Sequence, residues 1–237
     1  MKVINERFLP RIHGKPRVVI ILVLAALLAL PGAVLGSGYG VINVTSYLQV
    51  FSADGEIRAN WTDVAAYGEG EMAVPQLYQA DYTNTLAIYR GEVKSVLTSG
   101  CGTVCLSMVL AYLREDLAQS PETIFRDACL DGYYRGNGLS LATLRALAQS
   151  YGIQADYGGK YQGTIRAALS KGYPVIAYMD KGVFSDGGHY IVLRGMTPEG
   201  QVRVNDPNSH EKSGKTYDLA LIVRQSRSDN PFLICKP

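Results

Sequence analysis

The stretch Leu97–Leu113 constrains this chain most; it reads Leu-Thr-Ser-Gly-Cys-Gly-Thr-Val-Cys-Leu-Ser-Met-Val-Leu-Ala-Tyr-Leu. Val104, Leu106, Met108, Val109, Leu110, Ala111 and Leu113 point in every direction around a 3.6-residue repeat. A helix that is apolar on all sides is a buried one. The turn-prone run Thr98–Gly102 precedes it, so Cys101 is predicted where a glycine-flanked loop runs into a central helix. The first backbone N–H groups of a helix lack intrahelical partners and carry partial positive charge. A thiol placed there ionises more readily and becomes a nucleophile. The competing structural reading is that an unpaired cysteine in a core helix simply packs, a role that fits Cys105 and Cys129 well.

The rest of the chain bears on that choice. It begins with a basic head: Lys2, Arg7, Arg11, Lys15 and Arg17 stand against Glu6. The apolar run Val18–Leu30 and the small residues after Pro31 follow. Together these describe a secretory signal over residues 1–36. The alternative is an uncleaved anchor: continued to Leu35, the run approaches the length that spans a bilayer. Export is the expectation either way, with membrane contact confined to residues 18–35 if the segment stays. The formal charge of +2 hides this asymmetry: residues 1–17 carry a net +4, leaving a net −2 for the remainder. A body without a basic excess gives no reason to expect nucleic-acid binding.

Residues 37–70 read as an extension or linker, with Tyr39–Val50 too weakly alternating to assign and Gly68-Glu-Gly-Glu marking a boundary. Residues 71–237 then form the domain that carries the chemistry. Ser120-Pro121 and Ser140 are helix N-caps, predicting helices to about Leu130 and over Leu141–Tyr151, with a third at Gly163–Ser170 stopped by Gly172. Strands are predicted at Tyr173–Met179, His189–Arg194 and Gln201–Asn205, the last two joined through Gly195–Gly200. A helix at Asp218–Gln225 and a closing strand at Pro231–Cys235 complete the pattern. Helices first and an antiparallel sheet second give an α+β domain, its central helix packed on a C-terminal sheet.

Of the three histidines, His13 lies in the targeting segment. His189 follows Asp186-Gly-Gly at the head of a strand, where an imidazole is accessible; a lone histidine in such a place is more often structural. Asp206 lies in Asn205-Asp-Pro-Asn208, by itself a turn signature. Paired as a hairpin, residues 190–194 and 201–205 bring His189 and Asp206 to the same end of adjacent strands. A cysteine, a histidine to take its proton and a third group to orient the histidine are what a thiol nucleophile requires. His210 is a competing base. Four cysteines without Cys-x-x-Cys spacing and without paired histidines give no expectation of zinc, and no cofactor is expected. One disulfide among Cys105, Cys129 and Cys235 is open in an exported protein.

Ser99-Gly-Cys-Gly-Thr-Val-Cys-Leu-Ser-Met-Val-Leu-Ala-Tyr-Leu113, Gly188-His-Tyr-Ile-Val-Leu-Arg-Gly195 and Val204-Asn-Asp-Pro-Asn-Ser209 resemble the peptidase-family-39-like domain. This is the papain-like cysteine peptidase group that includes the double-glycine, bacteriocin-processing peptidases. Pro75–Asn84 is similar to the family's N-terminal segment. The resemblance implies Cys101 as nucleophile, His189 as base, Asp206 as the group that orients it, and Gln79 as the amide that helps hold the oxyanion, with Gln76 its rival. Thr103 stands where the family commonly has proline; proline is favoured but not required in a first helical turn, so the helix start is expected to persist. The expected function is an exported thiol peptidase acting through a thioester on a peptide or protein. The chain shows no Gly-x-x-x-x-Gly-Lys-Ser motif, which argues against the family's role in dedicated exporters. A non-catalytic surface-binding or scaffold relative, and a cell-wall peptide amidase with the same triad, are the alternatives.

Overall fold

A six-stranded antiparallel sheet carries the domain, with strand order β4-β9-β5-β6-β7-β8. Its strands are β4 (Gln154–Gly158), β5 (Val175–Met179), β6 (His189–Met196), β7 (Val202–Asn205), β8 (Thr216–Tyr217) and β9 (Phe232–Lys236). The computed structural model describes residues 49–50, 70–115 and 119–237. The predicted signal segment, and the extension apart from Gln49–Val50 and Gly70, lie outside them. Among the described residues no helix is long and apolar enough to cross a membrane.

The helix Cys101–Arg114 lies against β6, and every residue from Gly102 to Ala111 is buried, as the all-round apolar pattern requires. The capping serines act as their sequence predicts. Ser120 Oγ accepts from the Thr123 amide at the head of Pro121–Leu130, and Ser140 Oγ from the Thr143 amide at the head of Leu141–Ser150. Gln162–Ser170 and Leu219–Gln225 are the remaining longer helices, the latter capped by Asp218.

Two expectations are corrected, and one alternative left open is resolved. The turn-prone run before Cys101 is itself partly helical: Val96–Ser99 forms one turn, closed by a reciprocal capping box between Ser95 and Thr98, and Gly100 separates it from the main helix. The stretch before Ser99, where the sequence predicts no strand, holds a hairpin of β2 (Ala87–Tyr89) and β3 (Glu92–Lys94), and Gln49–Val50 (β1) pairs with β2 as a third strand. All four cysteines are free thiols, so none of the open disulfide pairings is present. The buried positions of Cys105, Cys129 and Cys235 are packing positions.

The strands that position His189 and Asp206 are fixed against each other by a half-buried ionic clamp. Pairing of β6 with β7 runs Val192↔Asn205 and Leu193↔Val204, then shifts at a bulge to Gly195↔Arg203. The segment 70–72 closes on that bulge: Met72 N–H donates to the Arg194 carbonyl and Glu71 bridges Gly195. Gly195 adopts φ +144°, and a Cβ there would lie 2.6 Å from the Gly70 carbonyl oxygen, so only glycine permits the approach. The Glu71 carboxylate accepts from Arg194 at 2.7 Å and from Arg203 at 2.7 Å, and Arg194 Nε also donates to Asn205 Oδ1. Burial alone would raise the Glu71 pKa, but the two guanidinium groups outweigh it and hold the carboxyl below its usual range. Its contribution to stability is therefore present above the ordinary carboxylate range and is lost as pH falls through the depressed value. Glu71→Ala, which takes the shared carboxylate from two half-buried guanidinium groups, is expected to lower the unfolding free energy by about 2 kcal/mol. Denaturant titration measures this; a change within about 0.5 kcal/mol, as for a surface substitution, would show the clamp to be idle.

Candidate active site

Cys101 is the first residue of its helix, with Gly100 as N-cap and Thr103 Oγ1 donating to the Gly100 carbonyl at 2.9 Å. Threonine at this position thus supports the first turn through its side chain, and the helix start is kept. His189 is the first residue of β6, and Asp206 directly follows the last residue of β7. Strand pairing and the helix that begins at Cys101 therefore bring three residues far apart in sequence to one place. His189 Nε2–H donates to Asp206 Oδ1 at 2.8 Å. The imidazole also hydrogen-bonds Cys101; with Nε2 taken by Asp206, Nδ1 is the nitrogen left to face the sulfur.

Asp206 is fully buried and held through its backbone and one carboxylate oxygen. Its amide N–H donates to Ser213 Oγ, Oδ1 also accepts from the Asn208 amide, and its carbonyl accepts from Gln76 Nε2 and Ser213 Oγ. Its second carboxylate oxygen, Oδ2, is buried without a hydrogen-bond partner. A buried negative charge so little dispersed acts strongly on the imidazole beside it. Burial by itself lowers the His189 pKa; the hydrogen bonds to Asp206 and Cys101, and the charges of both, outweigh it and push it up to about 9. Raised above its ordinary 6.5, the group contributes stability that is complete below pH 6.5 and lost as pH rises through about 9.

Cys101, His189 and Gln79 line a cleft of about 630 Å³, walled on one side by residues 136–138 and on the other by residues 182–188. The second wall is tied down twice: Lys212 Nζ donates to the Phe184 carbonyl, and the Val183 amide donates to Gln225 Oε1. The other three cysteines are buried outside this lining. Burial pushes Cys129 and Cys235 up to about 12, and Cys105 well above the ordinary thiol value.

Gln79 sits in the cleft wall, but its amide nitrogen donates to the Val96 and Leu97 carbonyls, each at 2.8 Å. Both N–H hydrogens are thereby engaged, and Oε1 is buried and unpartnered. Gln76, its rival, donates instead to the Leu77 and Asp206 carbonyls and is no part of the cleft lining. His210, the competing base, stacks on Tyr78 with ring centroids 3.6 Å apart and is likewise outside the lining. Sequence reasoning missed the two walls and the residues that tie them; the glycine pair around Asn137 was the available signal for the first. Among the described residues no cluster of histidine, cysteine and acidic side chains fits a metal ion.

A thiol at the head of a buried helix, an imidazole and a carboxylate brought beside it by adjacent strands, and an open cleft form an arrangement that suits a thiol nucleophile. The model of the Peptidase_C39 like family matches residues 71–227, and the chain belongs to that family, which is one of cysteine peptidases. No curated protein matches the chain. Among solved structures the chain is similar to a double glycine motif protease from an AMS/PCAT transporter in complex with the leader peptide. That similarity has 21% identity and a TM-score of 0.42 over 58% of this chain and 84% of the other. It is also similar to the peptidase domain of Streptococcus ComA, a bifunctional ABC transporter involved in a quorum-sensing pathway, at 20% identity and a TM-score of 0.44 over 59% and 93%.

Proposed function

We propose that the protein is an exported thiol peptidase that hydrolyses peptide bonds with Cys101, His189 and Asp206 through a thioester. The observation that carries this reading is the placement of one imidazole between the Cys101 sulfur and the Asp206 carboxylate, at the floor of an open cleft. Export rests on the composition of residues 1–36.

In the proposed reaction the Cys101 thiol first gives its proton to His189 Nδ1, and the resulting thiolate attacks the scissile carbonyl carbon. The negative charge that develops on its oxygen meets the backbone N–H groups at the head of the helix. His189, protonated at neutral pH, gives the Nδ1 proton to the departing amine as the C–N bond breaks, leaving an acyl-thioester. Water then attacks the thioester; neutral His189 takes its proton, and the sulfur leaves. Asp206 keeps Nε2–H engaged throughout, so the ring neither turns nor changes tautomer.

Gln79 serves as the second oxyanion donor by turning one N–H from a helix carbonyl to the developing charge. That exchange trades a neutral hydrogen bond for a charge-assisted one, which is about twice as strong. Gln79→Ala is therefore expected to lower kcat by about 100- to 1,000-fold with KM little changed. A fall in thermal stability with kcat unchanged would assign Gln79 to holding the Val96–Ser99 turn alone.

The test of the function is digestion of a peptide library and of muropeptides by the full chain and by Cys101→Ala. Cleavage of peptides that disappears in the variant supports the proposal. Cleavage confined to muropeptides would make the protein a cell-wall amidase. A reactive Cys101 with no hydrolysis of either would make it a binding relative.

A further inference from the structure

The wall of the cleft at residues 136–139 is built in an unusual way. Gly136 has φ +95° and Gly138 φ +78°, so the chain turns through left-handed conformations that side chains resist. A Cβ on Gly136 would also lie 2.6 Å from the ring of Tyr89. Gly136 and Leu139 are buried, whereas Asn137 is exposed and Gly138 partly so. The two buried carbonyls are each held from behind by a phenol: Tyr134 Oη–H donates to Gly136 O at 2.9 Å, and Tyr190 Oη–H donates to Leu139 O at 3.0 Å. The main-chain groups of Asn137 and Gly138, between these two points, have no hydrogen-bond partner among the described residues.

Both phenols also reach the nucleophile's side of the cleft. Tyr134 Oη lies 3.1 Å from Ser99 Oγ, two residues before Cys101. Tyr190 follows His189 directly in the chain, and its ring passes beneath the helix start, where a Cβ on Gly102 would meet it at 3.3 Å. Tyr190 further stacks on Tyr178, with centroids 4.5 Å apart, so its ring has little freedom. Both tyrosines are buried, and burial raises both phenol pKa values, which keeps them as donors. Neither touches the reacting atoms.

We propose that Tyr134 and Tyr190 are positioning residues for substrate: their hydroxyls fix the 136–139 wall at a set distance from Cys101. The free peptide groups of Asn137 and Gly138 are then presented to the main chain of an extended peptide. An extended chain pairs with exposed backbone groups irrespective of its side chains, so this wall reads peptide conformation rather than residue identity. The inference rests on the peptidase reading above.

Two irreversible reagents separate the parts of this claim. Iodoacetamide is too small to need the wall and reports the reactivity of Cys101. A peptidyl chloromethyl ketone, Ala-Ala-Gly-CH₂Cl, needs both the thiol and a place for its main chain. In the full chain, Tyr134→Phe and Tyr190→Phe each remove the hydrogen bond to a wall carbonyl and keep the ring; Tyr134→Phe also loses the contact with Ser99 Oγ. Each is expected to raise KI for the peptidyl reagent by about tenfold, the scale of one net hydrogen bond, while the iodoacetamide rate stays within about twofold of wild type. Unchanged KI in both variants would overturn the proposal. So would an equal slowing of both reagents, since that marks a general disturbance of the site. A wild-type protein alkylated by iodoacetamide but indifferent to the peptidyl reagent would instead overturn the peptidase reading, and the proposal with it. If either variant melts early, the other still decides, because the two phenols hold different carbonyls.

Discussion

Replacing Cys101 with alanine, or His189 with alanine, lowers kcat/KM for peptide hydrolysis by about 10⁴-fold or more. Cys101 is the thiol in the cleft, and in the proposed mechanism no acyl-enzyme forms without it. Without His189 the departing amine has no acid and the thioester no base. The double variant Cys101→Ala/His189→Ala should be about as inactive as either single one, because groups that act as a unit are not additive. Cys105→Ala and His210→Ala should retain activity: Cys105 is buried in the core, and His210 stacks on Tyr78 outside the cleft lining. Steady-state rates on a cleaved library peptide, with thermal melts as a control of folding, measure all five. Activity surviving in Cys101→Ala would contradict the mechanism, as would activity lost in His210→Ala but kept in His189→Ala.

Asp206→Ala carries the second large effect, about 10³-fold or more in kcat/KM. It leaves Nε2–H without an acceptor at a site where His189 is only 5% exposed. It also removes the charge that helps push the imidazole up to about 9. The imidazolium, the acid for the leaving amine, then loses its proton at lower pH, and the alkaline limb of the pH–rate profile moves down from about 9. Asp206→Asn separates orientation from charge. Its amide oxygen still accepts from Nε2–H, so rate should return in part, while the alkaline limb stays low because the charge is gone. A wild-type limb retained in Asp206→Ala would assign the raised pKa to some other group.

Much of this was legible in the chain because the signals are local. Four helix starts are written in single residues (Ser120, Ser140, Asp218 and the Gly100–Cys101 junction), and each appears where the sequence places it. The turn Gly195–Gly200 announces the hairpin that joins His189 to Asp206, so that juxtaposition followed from counting along two strands. What escaped depends on distant partners or on unusual residues in turns. The β2–β3 hairpin turns through Arg90 and Gly91, both with positive φ; arginine in the place usually taken by asparagine or aspartate hides the turn. Strand β4 has little apolar alternation and exists because it pairs with β9 at the far end of the chain. The engagement of the Gln79 amide, and the hold of Tyr190 on one cleft wall, involve backbone carbonyls on other segments. No residue pattern encodes which carbonyl a glutamine or a tyrosine will find.

The most direct test is to follow the ring protons of His189 by NMR as pH is raised, in the wild-type protein and in Cys101→Ala. An imidazole wedged between a thiol and a buried carboxylate should give up its proton near pH 9 in the wild type, and at distinctly lower pH once the sulfur is removed. A wild-type midpoint at the ordinary 6.5, or one that ignores the loss of Cys101, would show that His189 and Cys101 do not act as a pair.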